Sequence, residues 1–196
     1  TMIHFEAKAD SLWTGSTDIM TIKNSPATDV TLSNNGFPVQ SFKAMPVDKM
    51  LGADISFLPE LENKGMKFYD LDGKEKDAIK ILKDHGLNYV RLRIFNDPAR
   101  DSGYSPKLGF CVLQHTLQMA KRTKDAGMKL LLDFHYSDYW ADPQQQYMPK
   151  AWRGKSISEL KQAVYNYTRM VMQALKDQGT APDMVQVGNE INHGMI

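Results

Sequence analysis

The feature that most constrains the fold is an alternation between short apolar runs that read as strands and longer amphipathic stretches that read as helices. Asp54-Ile55-Ser56-Phe57 opens the series. Residues 77–85 follow, with Ala78, Ile79, Ile81 and Leu82 at helical spacing and Gly86 as the stop. Tyr89-Val90-Arg91-Leu92-Arg93-Ile94-Phe95 predicts a second strand, and residues 110–126 a second helix closed by Gly127. Lys129-Leu130-Leu131-Leu132-Asp133-Phe134-His135 is almost continuously apolar, as strands covered on both faces are. Residues 156–178 predict a third helix, with Ser156 as N-cap, Glu159 completing a capping box and Gly179 beyond its end. Met184-Val185-Gln186-Val187-Gly188 is the fourth strand. Strands and helices in strict rotation imply a parallel α/β architecture.

Polar residues gather at the C-terminal ends of these strands: Arg91 and Arg93, Asp133 and His135, Asn189 and Glu190. That rim carries the site in a (β/α)8 barrel. A doubly wound sheet also binds ligands at strand ends, but usually through a glycine-rich phosphate loop. No strand-to-helix connection here contains one. The predicted fold is therefore α/β, a (β/α)8 TIM barrel with about the first four β/α units present, over residues 49–196. Residues 1–48 read as a small β-rich appendage or the end of a preceding domain. Ile19-Met20-Thr21-Ile22, Val30-Thr31-Leu32 and Val39-Gln40-Ser41-Phe42 are its strand candidates, and Asn24-Ser25-Pro26 and Asn34-Asn35-Gly36 its turns.

Composition narrows the classes of function. With 24 Lys+Arg against 23 Asp+Glu, the chain lacks the basic excess of a nucleic-acid binder. No apolar stretch is long enough to span a membrane. A single cysteine, Cys111, excludes both an internal disulfide and a cysteine-cluster zinc site, and its apolar neighbours predict a buried, inert thiol. No metal or cofactor is expected. The histidines lack ligand spacing, and Asp70-Leu71-Asp72-Gly73 begins like a calcium loop but breaks at Lys74.

Chemistry is concentrated in two places. Glu190 leaves an apolar strand, where desolvation can tune a carboxyl group for proton transfer, and Asn189 beside it can bond a sugar hydroxyl. The segment from His135 to Trp152 mixes Tyr136, Tyr139, Trp140 and Trp152 with Asp138 and Asp142. Aromatic walls with a few polar anchors suit a sugar, although Tyr136 and Trp152 are equally well explained as packing. Arg91 and Arg93 point the same way along their strand, so one of them braces the carboxylates of the site.

Gly52-Ala53-Asp54-Ile55-Ser56, Asn88-Tyr89-Val90-Arg91-Leu92-Arg93, Leu131-Leu132-Asp133-Phe134-His135-Tyr136-Ser137-Asp138 and Gln186-Val187-Gly188-Asn189-Glu190 together resemble the endo-β-1,4-galactanases of glycoside hydrolase family 53. Trp140-Ala141-Asp142-Pro143 and Pro149-Lys150-Ala151-Trp152 fit as well. The resemblance runs from about residue 51 to the end of the sequence. It implies a retaining barrel glycosidase that cleaves internal β-1,4-galactosyl bonds in pectic galactan, with Glu190 as general acid/base. It makes Asn189, Arg91, Arg93, His135, Asp138, Trp140, Asp142 and Asp54 candidate substrate contacts. It also implies a secreted, cell-surface or periplasmic protein.

Retaining chemistry needs a second carboxylate, which the family places after strand seven, whereas the sequence stops at Ile196 after four strands. The expectation is an incomplete, inactive fragment of a longer enzyme, since barrels typically take roughly 250 residues. Glu60 and Glu62, in what reads as a loop around Pro59, are not expected to replace the nucleophile. Two alternatives stand beside this reading. One is a non-catalytic galactan-binding or assembly module that self-associates through its open sheet edges. The other is a related hydrolase acting on mannan, xylan or arabinan.

Overall fold

The computed structural model describes residues 49–192, 194 and 195, together with the backbone of two short paired strands near the N-terminus. The chain divides between Met50 and Leu51. In the first unit, β1 (Ser33–Asn34) and β2 (Phe37–Pro38) pair antiparallel, so Asn34 of the predicted Asn34-Asn35-Gly36 turn belongs to a strand. Neither was a strand candidate, and the three candidates of the first unit lie outside the described residues.

The second unit contains a four-stranded parallel sheet in the order β3 (Gly52–Asp54), β4 (Tyr89–Ile94), β5 (Lys129–Phe134) and β6 (Met184–Val187). Each strand is hydrogen-bonded to its neighbour in sequence. That succession is the arrangement of a β/α barrel, and the fold is the first part of one. Helices α1 (Leu58–Asn63) and α2 (Ala78–Asp84) connect β3 to β4. Helix α3 (Leu113–Asp125) connects β4 to β5, and α4 (Ile157–Asp177) connects β5 to β6.

Strand periodicity sorts the side chains. Val90, Leu92 and Ile94 alternate with Arg91 and Arg93, and Leu130, Leu132 and Phe134 alternate with Leu131 and Asp133. The apolar set is almost wholly buried where α3 packs on β4 and β5. The opposite face is polar, and the register places Asp54 beside Arg91, Arg93 beside Asp133, and Asp133 beside Gln186. At the other end of the strands, Leu51 N–H donates to Asn88 Oδ1 at 2.8 Å and Leu130 N–H to Asp183 Oδ2 at 2.7 Å, aligning the entries of β3 and β5.

Three boundaries differ from the sequence reading. The first strand ends at Asp54 instead of starting there, because Ser56 turns back on the Asp54 carboxylate. The segment read as a loop around Pro59 is α1, with proline in the first turn, where its missing N–H costs no helical bond. Helix α3 starts at Leu113, not Phe110, because Cys111 sits at a φ of 65° that helix geometry does not allow. The capping box of Ser156 and Glu159 forms as read.

Candidate active site

The polar face resolves into one network with Arg91 at its centre. Its Nη1 donates to Asp54 Oδ2 at 2.5 Å. Its Nη2 donates to Asp133 Oδ2 at 2.6 Å and Asn189 Oδ1 at 3.0 Å, and lies 3.1 Å from Gln186 Oε1. Arg93 braces the same aspartate, donating from Nη1 to Asp54 Oδ1 at 3.0 Å. Ser56 adds a hydroxyl that donates to Asp54 Oδ1 at 2.7 Å while accepting from Arg93 N–H at 2.8 Å. Both arginines therefore brace carboxylates, where the sequence reading expected one. Asp54, a predicted substrate contact, has both oxygens taken by Arg91, Arg93 and Ser56, and its place here is to hold the arginines.

His135 lies on the same face and is wholly buried. Ala141 N–H donates to its Nδ1 at 3.0 Å, so in the neutral ring the proton sits on Nε2, 3.1 Å from Asp133 Oδ2. That contact is misaligned. Nε2 and Asp133 Oδ1 are buried polar atoms with no hydrogen-bond partner among the described residues.

The loop after β5 builds an aromatic wall beside this network. The Arg93 guanidinium sits 4.2 Å above the Trp140 ring, a cation–π contact, and Trp140 stands edge-on to His135 with centroids 5.5 Å apart. Tyr104 extends the wall, 5.9 Å from Trp140, and its hydroxyl bridges Arg93 and Glu60. Burial raises the Tyr104 pKa. A cleft of about 370 Å³ opens where the row reaches Tyr139, between the loops after β4 and β5. A larger cleft, about 560 Å³, lies around Met66, Phe68 and Lys76 and holds none of the predicted site residues.

Several predicted residues act through the protein itself. Asp138 is buried, and its carboxylate accepts from Asp97 N–H at 3.1 Å, Arg100 Nη1 at 3.0 Å and Lys150 N–H at 2.9 Å. It staples the two loops together. Asp142 forms a tight turn, accepting from Gln144 N–H at 2.8 Å and Gln145 N–H at 3.0 Å on Oδ1 and from Gln145 Nε2 at 2.6 Å on Oδ2. These donors, Gln144 N–H foremost, lower its pKa. Tyr136 and Trp152 are buried and pack with Phe134 and Tyr167, which settles them as packing. Cys111 is buried, 3.6 Å from Ser56 O.

Asn189 and Glu190 follow β6 on a turn that opens at Gly188, whose φ is 85° and whose absent Cβ would stand 2.7 Å from Ile191 Cγ2. Asn189 is clamped, accepting from Arg91 on Oδ1 and donating from Nδ2 to Ala141 O at 2.7 Å. Its second amide hydrogen has no partner among the described residues. Glu190 is exposed, so the described residues do not supply the desolvation expected around it. Its φ is 51°, a left-handed conformation that costs a non-glycine residue roughly 1–3 kcal/mol and persists where neighbours enforce it. Glu60 bonds Lys64 and Tyr104, and Glu62 forms a two-pronged pair with Arg122 at 2.8 Å, so both carboxylates are engaged.

Ser56, Tyr104, Asp133, Gln186 and Gln146 belong to the site or its support but were not among the predicted contacts. The period-two face of β4 and β5 pointed to Asp133, and Gln186 sits on β6 in register beside it; Ser56, Tyr104 and Gln146 follow from loop geometry that carries no periodic signal.

A parallel β/α sheet with a charged interior face and an Asn-Glu pair at a strand end defines a barrel of the kind that houses strand-end active sites. Residues 50–196 match the model for glycosyl hydrolase family 53, and the chain belongs to that family. The endo-beta-1,4-galactanase of Bacillus subtilis (strain 168) is 42% identical over 156 residues, a match that takes in 80% of this chain and 36% of the relative. The arabinogalactan endo-beta-1,4-galactanase of Cellvibrio japonicus (strain Ueda107) is 41% identical over 143 residues, 72% of this chain and 36% of that protein. Among solved structures, the GH53 catalytic domain of Ignisphaera aggregans aligns with a TM-score of 0.73 at 42% identity, covering 78% of this chain and 42% of that domain. The chain thus spans less than half the length of the relatives it matches. No helix among the described residues is long and apolar enough to cross a membrane, and no group of three or more His, Cys, Asp or Glu among them could hold a metal ion.

Proposed function

We propose that the chain is part of a retaining endo-β-1,4-galactanase, with Glu190 as general acid/base. The observation that carries this is the tie from Arg91 through Asn189, which fixes the Asn-Glu pair at the end of β6 beside His135 and the Trp140 wall. The names of the relatives support galactan as the substrate. In this reading Trp140 faces an apolar side of the sugar, the free N–H of Asn189 binds a hydroxyl, and Glu190 protonates the leaving oxygen and then deprotonates water. A second carboxylate about 5 Å away completes the chemistry. We place it outside residues 1–196, because Glu60 and Glu62 are already bonded. A pectic polymer as substrate places the protein outside the cytoplasm.

The test is Glu190→Gln in the full-length enzyme. Galactan hydrolysis should fall at least about a thousandfold, while an activated aryl galactoside, whose leaving group needs no proton, still releases its phenol in a burst. Wild-type turnover of galactan by the variant would remove Glu190 from the role. Turnover of mannan, xylan or arabinan in place of galactan would reassign the substrate.

A further inference from the structure

Among the described residues Glu190 is held through its backbone and not through its side chain. Its carboxylate makes no hydrogen bond to the described residues, and its φ of 51° is one that an L-residue leaves unless held. One side chain reaches that backbone from another part of the fold. Gln146 Nε2 donates to Asn189 O at 2.8 Å and lies 3.4 Å from Glu190 O, with Asp142 O at 3.1 Å. All three neighbours are carbonyl oxygens, so the amide must present its NH2 group to them. Two hydrogens serve three acceptors, the short bond to Asn189 O being the strong one. We propose that Gln146 is a positioning residue, a clamp that fixes the left-handed turn at Asn189 and Glu190 and so aims the acid/base carboxylate. The catalytic part of this inference rests on the proposed role of Glu190; the conformational part does not.

Gln146 is itself held in place. It directly follows the Asp142 turn, in which Asp142 N–H and Gln145 N–H also exchange bonds with each other's carbonyls at 3.0 and 3.1 Å. The same loop supplies Ala141, whose N–H fixes His135 and whose carbonyl fixes Asn189. Residues 141–146 are thus one brace with three arms, reaching His135, the Asn189 side chain and the Asn189–Glu190 backbone. On the far side, Asn192 N–H donates to Glu190 O at 2.9 Å, so the amide of Asn192 reports whether the turn is closed.

Two variants of the full-length protein test the clamp. Gln146→Met keeps the length of the side chain and removes the donor; Gln146→Lys restores a donor to the two carbonyls. For Met, hydrogen exchange at the Asn192 amide should speed up about tenfold, with exchange in β4 and β5 unchanged. On galactan, kcat should fall about tenfold with KM within twofold, the loss of one bond's worth of alignment. Lys should recover most of both losses. Wild-type exchange in the Met variant would overturn the proposal, and so would a Lys variant as loose as Met, because packing rather than donation would then be responsible. Faster exchange throughout the domain would overturn it too. If the wild-type enzyme does not hydrolyse galactan, the galactanase reading fails by itself, and the exchange measurement still decides whether Gln146 holds the turn.

Discussion

Arg91 Nη2 lies 2.6 Å from Asp133 Oδ2, and Asp133 is wholly buried while Arg91 retains about a quarter of its side-chain exposure. The pair is therefore asymmetric: losing the arginine strands an anion, whereas losing the aspartate leaves a cation that can still reach water and Asp54. Arg91→Met should destabilise the protein by about 3–5 kcal/mol, the cost of an uncompensated buried charge. Asp133→Asn in the same background should recover part of it by removing the charge. Urea unfolding of the three proteins measures the difference. Equal stability of Arg91→Met and wild type would mean that Arg91 does not stabilise the buried Asp133 carboxylate.

His135 carries a directional constraint that can be read by spectroscopy. Because Ala141 N–H donates to Nδ1 at 3.0 Å, the neutral ring should be the Nε2–H tautomer, visible as a pyridine-like Nδ1 in nitrogen NMR. A proton found on Nδ1 would show that the 141–146 loop does not seat on the ring. His135→Phe keeps an aromatic ring, slightly larger than imidazole, and orphans the buried Ala141 N–H, which should cost about 1–3 kcal/mol.

How far the sequence carried depended on whether a residue's place is set by period or by turn. Strands β4 and β5 were legible because their apolar residues alternate with Arg91, Arg93 and Asp133 along the strand, and α4 because Ser156, Glu159 and Gly179 mark both its ends. Those same periods told that Arg91 and Arg93 point the same way, onto one face, though not that both would brace carboxylates. What they could not tell is how saturated that face is. Asp54, Asp138 and Asp142 are of the type and neighbourhood that bind sugars, yet Asp54 meets two arginines, Asp138 joins two loops and Asp142 closes a turn. Such pairings join residues tens of positions apart or depend on a local turn, and neither leaves a trace in spacing. Helix α1 was missed for a related reason: Pro59 is a breaker inside a helix and a starter in its first turn, and only the backbone bonds around Phe57 distinguish the two.

Cys111 should be inert in the folded protein. Burial pushes its thiol up to about 12, the nearby Arg93 cation offsetting only part of that shift. At pH 8 the thiolate fraction is then roughly one in ten thousand, and the thiolate is the reactive species. Iodoacetamide at pH 8 should leave native protein unmodified and alkylate it fully in urea. Rapid native labelling would mean that the segment from Gly109 to Val112 opens, since Cys111 is buried in the folded protein.

Asp142 links the brace to pH. Its folded-state pKa is lowered by donors from Gln144 and Gln145, below the ordinary aspartate value of about 3.9. A depressed carboxyl contributes its full stabilisation above the unfolded pKa and loses it as pH falls through the folded one. The turn should therefore be intact from neutral pH down to about 4 and weaken below that. Asp142→Asn still offers Oδ1 to the two backbone donors but has no charge to lose, and its amide cannot accept from Gln145 Nε2. The variant should accordingly start slightly less stable at pH 7 and decline less steeply between pH 5 and 3. Other carboxylates held low by their partners, Asp70 and Asp84 among them, are the same in both proteins, so the difference between the two curves isolates Asp142. Thermal unfolding at several pH values gives those curves. Parallel curves would show that the carboxylate's charge does not contribute to the turn, leaving the backbone exchange between Asp142 and Gln145 to hold Gln146 in place.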